Sequence, residues 1–445
     1  MRTKIMIATF CIPLGLMFIL PLEKEDKARQ NALLNEEEPL SEELLSFVKV
    51  RDMIRERYVE EVDSRDLIFS AMQGMFSSLE HARFYIPEEE TRFQEEISGL
   101  YIGLGLYCEK ADHKLLVKNT LYDSPAQEKL KRGDEILEID GAATQGLTLA
   151  DAYTLMRGSE EPGTPCDLKV RRKNGGAVEL CRLVRGRVTR PSVSSGWWVD
   201  TDRAIGYIAI ERFLKHTHRE FEAVLESLAE KKIRSLILDL RFNTGGVLEA
   251  AVAVANLFIP EGVLVSTRGR YPAAEQVYTA MRSQFRYPEM NLVLLINQES
   301  ASATEVLAGA LQDYKRAVIM GEHSFGKGVV QSAVTMELLG RPVTLKLPVA
   351  LYFLPSGRCI EKKLGMRHAG QGGLEPDITV TVSKQQFRAL KTAFNNISLL
   401  DERQKELSDP QLDAAIRFLK GEKVFTPFTD PTENEKTIDG RKEES

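Results

Sequence analysis

The apolar positions of the chain change period along its length, and each change marks a different kind of element. Two basic residues, Arg2 and Lys4, precede a nearly continuous apolar run at 5–20, which ends in charge. Such an order predicts an export signal or a short amino-terminal anchor over 1–22. Pro13 and Gly15 weaken helix there, and no small-x-small cleavage site follows, which favours an uncleaved anchor over a removed signal peptide; a buried amino-terminal helix is the alternative. A Glu-rich polar linker fills 23–39. Helical spacing then dominates 40–98: an amphipathic helix begins at a Ser41 cap, a second covers 64–78, and a third opens at Pro87 with acids in its first turn.

Over 99–186 the period shortens to two, with brief alternating runs broken by glycine turns, which predicts a compact β-rich module. Its one clear helix starts at a Thr148 cap, a shorter helical turn lies at SPAQEKL, and Asn174-Gly175-Gly176 supplies a hairpin turn. From 187 to 397 strands alternate with helices. That spacing, carried through AVIMGE, VVQSAVTM and VTLKLPVALYF, predicts an α/β core with both faces of a largely parallel sheet covered. Residues 398–445 hold one more helix, DPQLDAAIRFLKG, and a charged tail.

Length and composition narrow the choices. A chain of 445 residues with 59 basic and 65 acidic side chains, 43% of it hydrophobic, is an ordinary globular protein of about three domains. Its net charge of −6 gives no reason to expect a nucleic-acid partner. The cysteines have neither C-x-x-C nor zinc-like spacing, so no metal or cofactor is expected; Cys166 and Cys181 flank the hairpin, as buried thiols or as neighbours able to pair. His216 and His218 read as a solvated helix start rather than a metal site.

Three segments can carry chemistry. Ser302 opens a helix among small residues, in Gln298-Glu299-Ser300-Ala301-Ser302-Ala303-Thr304-Glu305. Ser302-x-x-Glu305 is also a capping box, with Ser300 a second possible cap, so Ser302 is open to two roles. A cap and a nucleophile share a geometry, because unpaired amides at a helix start can hold an oxyanion. The segment from Gly321 to Gly328 contains G-x-x-x-x-G-K, but Gly328 replaces the Ser or Thr of a phosphate loop and a strand pattern follows, which disfavours nucleotide binding. Lys327 is then either a solvated loop lysine or a general base whose amine is kept neutral, with Gln331 holding it. The third segment, Asp239 to Gly246, ends a strand where ligands of open α/β sheets sit. Gly245 or Gly246 there, with the Ala303 N–H, would make an oxyanion hole; a plain strand-to-helix turn is the competing account, with Asp239 and Arg241 fixing the turn. No histidine pairs convincingly with Ser302, His323 and His368 included.

These motifs resemble those of the C-terminal processing peptidases, or tail-specific proteases, which are Ser/Lys-dyad serine endopeptidases. Ser300-Ala301-Ser302-Ala303-Thr304-Glu305, continuing through Ala308-Gly309-Ala310-Leu311-Gln312-Asp313, is similar to their nucleophile motif. The run from Gly321 to Gln331 resembles their base motif, and Asp239 to Gly246 their D-L-R-x-N-x-G-G. The likeness continues through LPSGRCIEKKLG and GGLEPDITV and spans 40–382. It departs at Leu79-Glu80-His81-Ala82-Arg83 and KKLGMRHAGQGG, differences expected to affect scaffold and groove shape more than the dyad. The β-rich module looks like the PDZ domain this family inserts.

The resemblance implies a multidomain α+β fold: an α/β crotonase-like protease core, a PDZ module and an N-terminal helical domain. It implies Ser302 as nucleophile, Lys327 as base, Gln331 as its support, and Ala303, Gly245 and Gly246 as oxyanion donors. A substrate tail would lie on Tyr101, Ile102, Gly103, Leu104, Gly105 and Leu106, its carboxylate on the amides near Tyr101, Ile102 and Gly103 and its chain along the strand from Leu104. The expected partners are unfolded or tail-exposed proteins, a regulatory or adaptor protein, a second copy of the chain, and a membrane through the N-terminal segment, outside the cytoplasm in the periplasm or its equivalent. The alternatives are an inactive tail-binding adaptor and, more remotely, a nucleotide-binding enzyme.

Overall fold

Uninterrupted runs of Ile, Leu and Val build the central sheet. The strands Ile205–Ala209, Ser235–Asp239, Asn291–Ile296, Val318–Gly321 and Ile378–Thr379 lie side by side in that order, all parallel, with Trp197–Asp200 antiparallel at one edge. Every residue of Ile205–Ala209 and Ser235–Asp239 is buried, as a sheet covered on both faces requires. This is a computed structural model that describes residues 41–422 except 160, 203, 271, 363–371, 395–396, 398–399 and 401–406. The segment expected to be an anchor, 1–22, the linker, His368 and the end of the charged tail fall outside the described residues.

One face of the sheet presents Tyr207, Ile237, Val293, Leu295 and Met320 to a layer made by Phe394, Ile397, Leu400, Leu412 and Ala415. The last helix, Pro410–Leu419, is therefore part of the core rather than an appendage of a tail. On the other face Leu228 and Ile233 lie so close to Gly206 that a Cβ there would sit 3.0 Å from Ile233. The helix Thr217–Glu230 accordingly buries Phe221, Leu225 and Leu228 on this side.

The expected run of parallel strands breaks off at Gly321 and resumes only at Ile378–Thr379. Val329–Leu338 and Arg341–Phe353 instead pair antiparallel, and the second joins Val263–Gly269, Gln276–Thr279 and Arg83–Tyr85 in a separate sheet. The cause is local. Leu339 and Gly340 both have positive φ, 53° and 75°, which makes a two-residue hairpin turn. A hairpin needs no crossover helix, so the two long alternating strands close on each other.

Residues 87–191 form a compact unit of their own, and it includes the helix Pro87–Ser98 that the sequence pattern groups with the N-terminal helices. Its sheet runs Leu106–Ala111, Lys114–Thr120, Glu135–Ile139, Pro165–Arg171, Val178–Val184. The helix Leu149–Arg157 packs on that sheet, begun by the Thr148–Asp151 capping box and ended at Gly158. Cys166 and Cys181 are free, buried thiols in its core. SPAQEKL forms hydrogen-bonded turns rather than a helix.

One ion network ties the last helix of the core to the end of a central strand. Arg241, fully buried, donates from Nε to both Asp239 oxygens at 3.0 Å and from Nη1 and Nη2 to Asp409 at 2.8 and 2.7 Å. Gln411 accepts a further bond at 3.0 Å, and Tyr207 donates to Asp239 at 2.7 Å. Removing one partner leaves a buried charge short of its counterion, which is costly even where the intact network adds little. Asp409→Ala should lower stability by about 3–5 kcal/mol. Denaturant unfolding followed by the fluorescence of Trp197 and Trp198 will show it, since Trp197 stacks on Tyr207 at 4.3 Å.

Candidate active site

The carboxyl ends of three adjacent parallel strands deliver the three candidate segments to one place. Ser235–Asp239 leads into 240–246, Asn291–Ile296 into 297–302, and Val318–Gly321 into 322–328. This is the crevice where open α/β sheets bind ligands.

Ser302 is the N-cap residue of the helix Ala303–Asp313 and has φ 60° and ψ −121°. A non-glycine residue in that region is strained by roughly 1–3 kcal/mol and stays there only when its surroundings hold it. The holding groups are visible. The Ser302 N–H donates to Glu305 Oε2 at 2.8 Å, the expected half of the capping box. Ala301 N and Thr304 Oγ1 both donate to the Asn243 carbonyl at 3.0 Å. Ser300, the other cap considered, is occupied structurally: its hydroxyl donates to the Leu240 carbonyl at 2.9 Å and accepts from Asn297 N at the same distance.

The glycine pair is set against this turn by close approach. A Cβ on Gly245 would lie 2.6 Å from the Ala301 carbonyl, 2.8 Å from Ser302 Cβ and 3.0 Å from Ala303 N, and one on Gly246 would meet the Phe213 carbonyl at 2.0 Å. Only glycine fits either position. The Gly245 N–H is already committed, donating to Asn243 Oδ1 at 2.9 Å, while Asn243 Nδ2 donates to the Ile210 carbonyl. Among the described residues neither Gly246 N nor Ala303 N has a recorded acceptor. Of the two glycine donors expected from the sequence, only the Gly246 amide is thus available.

Glu305 is the residue whose importance the sequence understated. Wholly buried, its carboxylate accepts four hydrogen bonds: Ser302 N at 2.8 Å and Lys327 N at 2.9 Å on Oε2, Ser324 Oγ at 2.5 Å and Gly326 N at 2.7 Å on Oε1. Burial pushes its carboxyl up, and these four donors offset part of that rise. The helix that carries Ser302 and the loop that carries Lys327 are fastened through this one group.

Lys327 is half-buried, and its Nζ donates to Gln331 Oε1 at 2.9 Å. Gln331 Nε2 in turn donates to the His81 carbonyl at 2.5 Å. His81 lies in the Leu79-to-Arg83 segment, so that departure from the family pattern reaches the residue that bonds the Lys327 amine. Burial lowers the Lys327 pKa below that of an ordinary lysine; the Glu361 and Glu305 carboxylates oppose the shift and Arg212 adds to it. Glu361 is fixed by Gly328 N at 2.8 Å, and a Cβ on Gly328 would sit 2.4 Å from Glu361 N. That contact explains the second glycine of G-K-G, and the strand Val329–Leu338 follows directly, so no phosphate-loop helix exists there. Among the described residues Lys327 Nζ and Ser302 Oγ share no hydrogen bond. The Tyr352 phenol, buried, lies beside the Ser302 side chain. His323 faces elsewhere, with Nδ1 on the Ser324 carbonyl and Nε2 3.5 Å from Glu375.

In the separate unit, the six residues expected to hold a tail divide. Tyr101, Ile102 and Gly103 form a strand paired with Gly186–Thr189 instead of a free carboxylate loop. Leu104 and Gly105 make the turn, where a Cβ on Gly105 would clash with Ser124 at 2.1 Å, and Leu106 begins the edge strand.

Residues 204–380 match Peptidase family S41, 92–171 the PDZ domain and 15–84 the activating protease CtpB N-terminal domain. The carboxy-terminal-processing protease of Bartonella bacilliformis is 33% identical over 357 residues, covering 79% of this chain and 78% of that protein. The carboxy-terminal processing protease CtpA of Bacillus subtilis is 31% identical over 318 residues, covering 71% of this chain and 66% of that protein. Among solved structures, the photosystem II D1 C-terminal processing protease is 25% identical, covers 77% of this chain and 94% of its own, and has a TM-score of 0.42. A relative of this identity spanning most of both chains shows the family, and the chain belongs to Peptidase family S41 as a serine-type carboxy-terminal processing peptidase with a PDZ domain.

Proposed function

We propose that the chain hydrolyses peptide bonds of exported proteins through a Ser302/Lys327 dyad, capturing their C-terminal tails on its PDZ unit. The observation that carries this reading is the shared acceptor: one carboxylate oxygen of Glu305 takes the main-chain N–H of both Ser302 and Lys327. Neutral Lys327, held by Gln331, swings to accept the Ser302 hydroxyl proton as Oγ bonds to the scissile carbonyl carbon. The oxyanion that forms is met by the Ala303 and Gly246 N–H groups, each such donor being worth about 10²–10³-fold. Collapse expels the amine, which takes the proton from Lys327. Water then attacks the acyl-enzyme with Lys327 again as base, releasing the new carboxyl terminus and restoring Ser302.

The remaining parts of the reading concern partners and place. A tail carboxylate is held at the turn 104–106, and its chain extends along the edge strand Leu106–Ala111. The helix Glu42–Arg57 buries none of its residues and leaves Leu45, Val50, Met53 and Ile54 exposed, a face suited to a second copy of the chain. Residues 1–22 anchor the protein to the membrane, and proteolysis takes place on the far side from the cytoplasm. A regulatory protein that presents tails fits the same PDZ edge.

Ser302→Ala and Lys327→Ala should each reduce hydrolysis of an unfolded apolar-tailed protein by at least about 10³-fold, followed by mass spectrometry of the products. Wild-type turnover by Ser302→Ala would end the proposal. Because the base must be neutral, kcat/KM should rise with pH through the lowered Lys327 pKa and be lost on the acid side. Glu361→Gln removes a charge that favours the ammonium and should move this limb to lower pH in a pH–rate profile. Glu305→Gln sets an NH₂ group against at least one of the amide donors, whichever way the new amide turns, and should cost about 10²-fold in kcat, chiefly by misplacing the dyad. Steady-state kinetics on the folded variant will separate that loss from any change in KM.

A further inference from the structure

Among the described residues the PDZ sheet has an unshared border at the strand Leu106–Ala111, which pairs with Lys114–Thr120 on one side only. The register slips between Tyr107 and Cys108, and at that irregularity the main-chain N–H of Cys108 is donated away from the sheet. Its acceptor is the hydroxyl of Tyr153 at 2.8 Å, from the helix Leu149–Arg157 across the groove.

Tyr153 is well placed to hold this position. It is half-buried and packs on the apolar core of the unit beside Leu149 and Leu155. Burial pushes its phenol up to about 12, so the hydroxyl keeps its proton at any working pH. Tyr101 and Tyr107 close the surroundings as electrostatic neighbours, and the Arg157 guanidinium lies 5.3 Å from the centroid of the Tyr101 ring while pairing with Glu95 at 2.8 Å. A chain segment adding to the strand needs this amide, because β-addition consists of main-chain bonds at successive edge positions. One N–H serves one good acceptor.

We propose that the Tyr153 hydroxyl is a built-in competitor for the tail-binding edge: it stands in for a substrate carbonyl on the Cys108 N–H, and an incoming C-terminal segment binds only by displacing it. The inference rests on the tail-capture reading given above. It makes Tyr153 a determinant of affinity that acts through the groove and not through the chemistry of Ser302. Only tails that replace the lost bond and add contacts of their own open the groove, so weak or internal segments are rejected.

The test uses the full chain carrying Ser302→Ala, which prevents turnover, with and without Tyr153→Phe. The phenylalanine keeps the ring and removes the competing acceptor. A fluorescein-labelled decapeptide ending in Val-Leu-Val with a free carboxylate, and its C-terminally amidated form, are titrated by fluorescence anisotropy. Amide hydrogen exchange at Cys108 is read in both proteins. Tyr153→Phe should tighten the carboxylate peptide about five- to tenfold, the gain expected from removing one competing hydrogen bond. It should also speed Cys108 exchange in the free protein, and bound peptide should slow it again. Equal or weaker peptide binding by Tyr153→Phe, or unchanged Cys108 exchange, overturns the inference while leaving tail capture standing. Failure of both proteins to prefer the carboxylate over the amide overturns tail capture itself, and this inference with it.

Discussion

A carboxylate taken out of water must be repaid in hydrogen bonds, and Glu305 is where this requirement organises the catalytic core. Four donors surround it, three of them main-chain amides. Because main-chain amides are held, the relative placement of the Ser302 turn and the Lys327 loop depends on the one side chain of Glu305 and not on the rotamers of Ser302 or Lys327. The positive φ of Ser302 is sustained in the same way, with its N–H fastened on one side and the Asn243 carbonyl gripping the residues on either side of it. The strain is local, and the network that opposes it reaches across three strand ends.

Two kinds of control therefore meet around Ser302 and Lys327. Sterics govern one flank, where Gly245 and Gly246 allow main chain to approach main chain at distances no side chain would permit. Electrostatics govern the other, where Lys327 is desolvated beside two carboxylates and one guanidinium of opposing effect. The balance among those groups sets how readily the amine gives up its charge. Gln331 connects this flank to His81, a residue from the N-terminal part of the chain, so the amine's position is shared between segments 250 residues apart.

Much of this was legible from the sequence, for identifiable reasons. Ser302-x-x-Glu305 announced a helix start, Thr148 and Asp151 announced another, and G-K-G ahead of an alternating run argued against a phosphate loop. Each signal is local, with both halves within a few residues. The failures were non-local. Nothing near Glu305 says that a loop twenty residues later will turn its amides toward it. The alternation in 329–353 is compatible with either sheet, and the positive φ of Leu339, a residue with no preference for that region, decides between them. The family resemblance gave Tyr101, Ile102 and Gly103 to a carboxylate loop, and the strand they pair with instead, Gly186–Thr189, lies more than eighty residues away. The role of Asp409 was hidden for the same reason, its partner being 168 residues back.

The Arg241 clamp also gives the molecule an order of events. The loop that carries Gly245 and Gly246 begins at Asp239, and the guanidinium bridging that carboxylate needs Asp409 and Gln411 from almost the end of the described chain. A growing polypeptide that has already produced Ser302 and Lys327 thus still lacks the Asp409 carboxylate and the Gln411 amide that complete this clamp. The glycine loop thus has its full anchorage only once the helix Pro410–Leu419 has docked, late in the order in which the chain emerges.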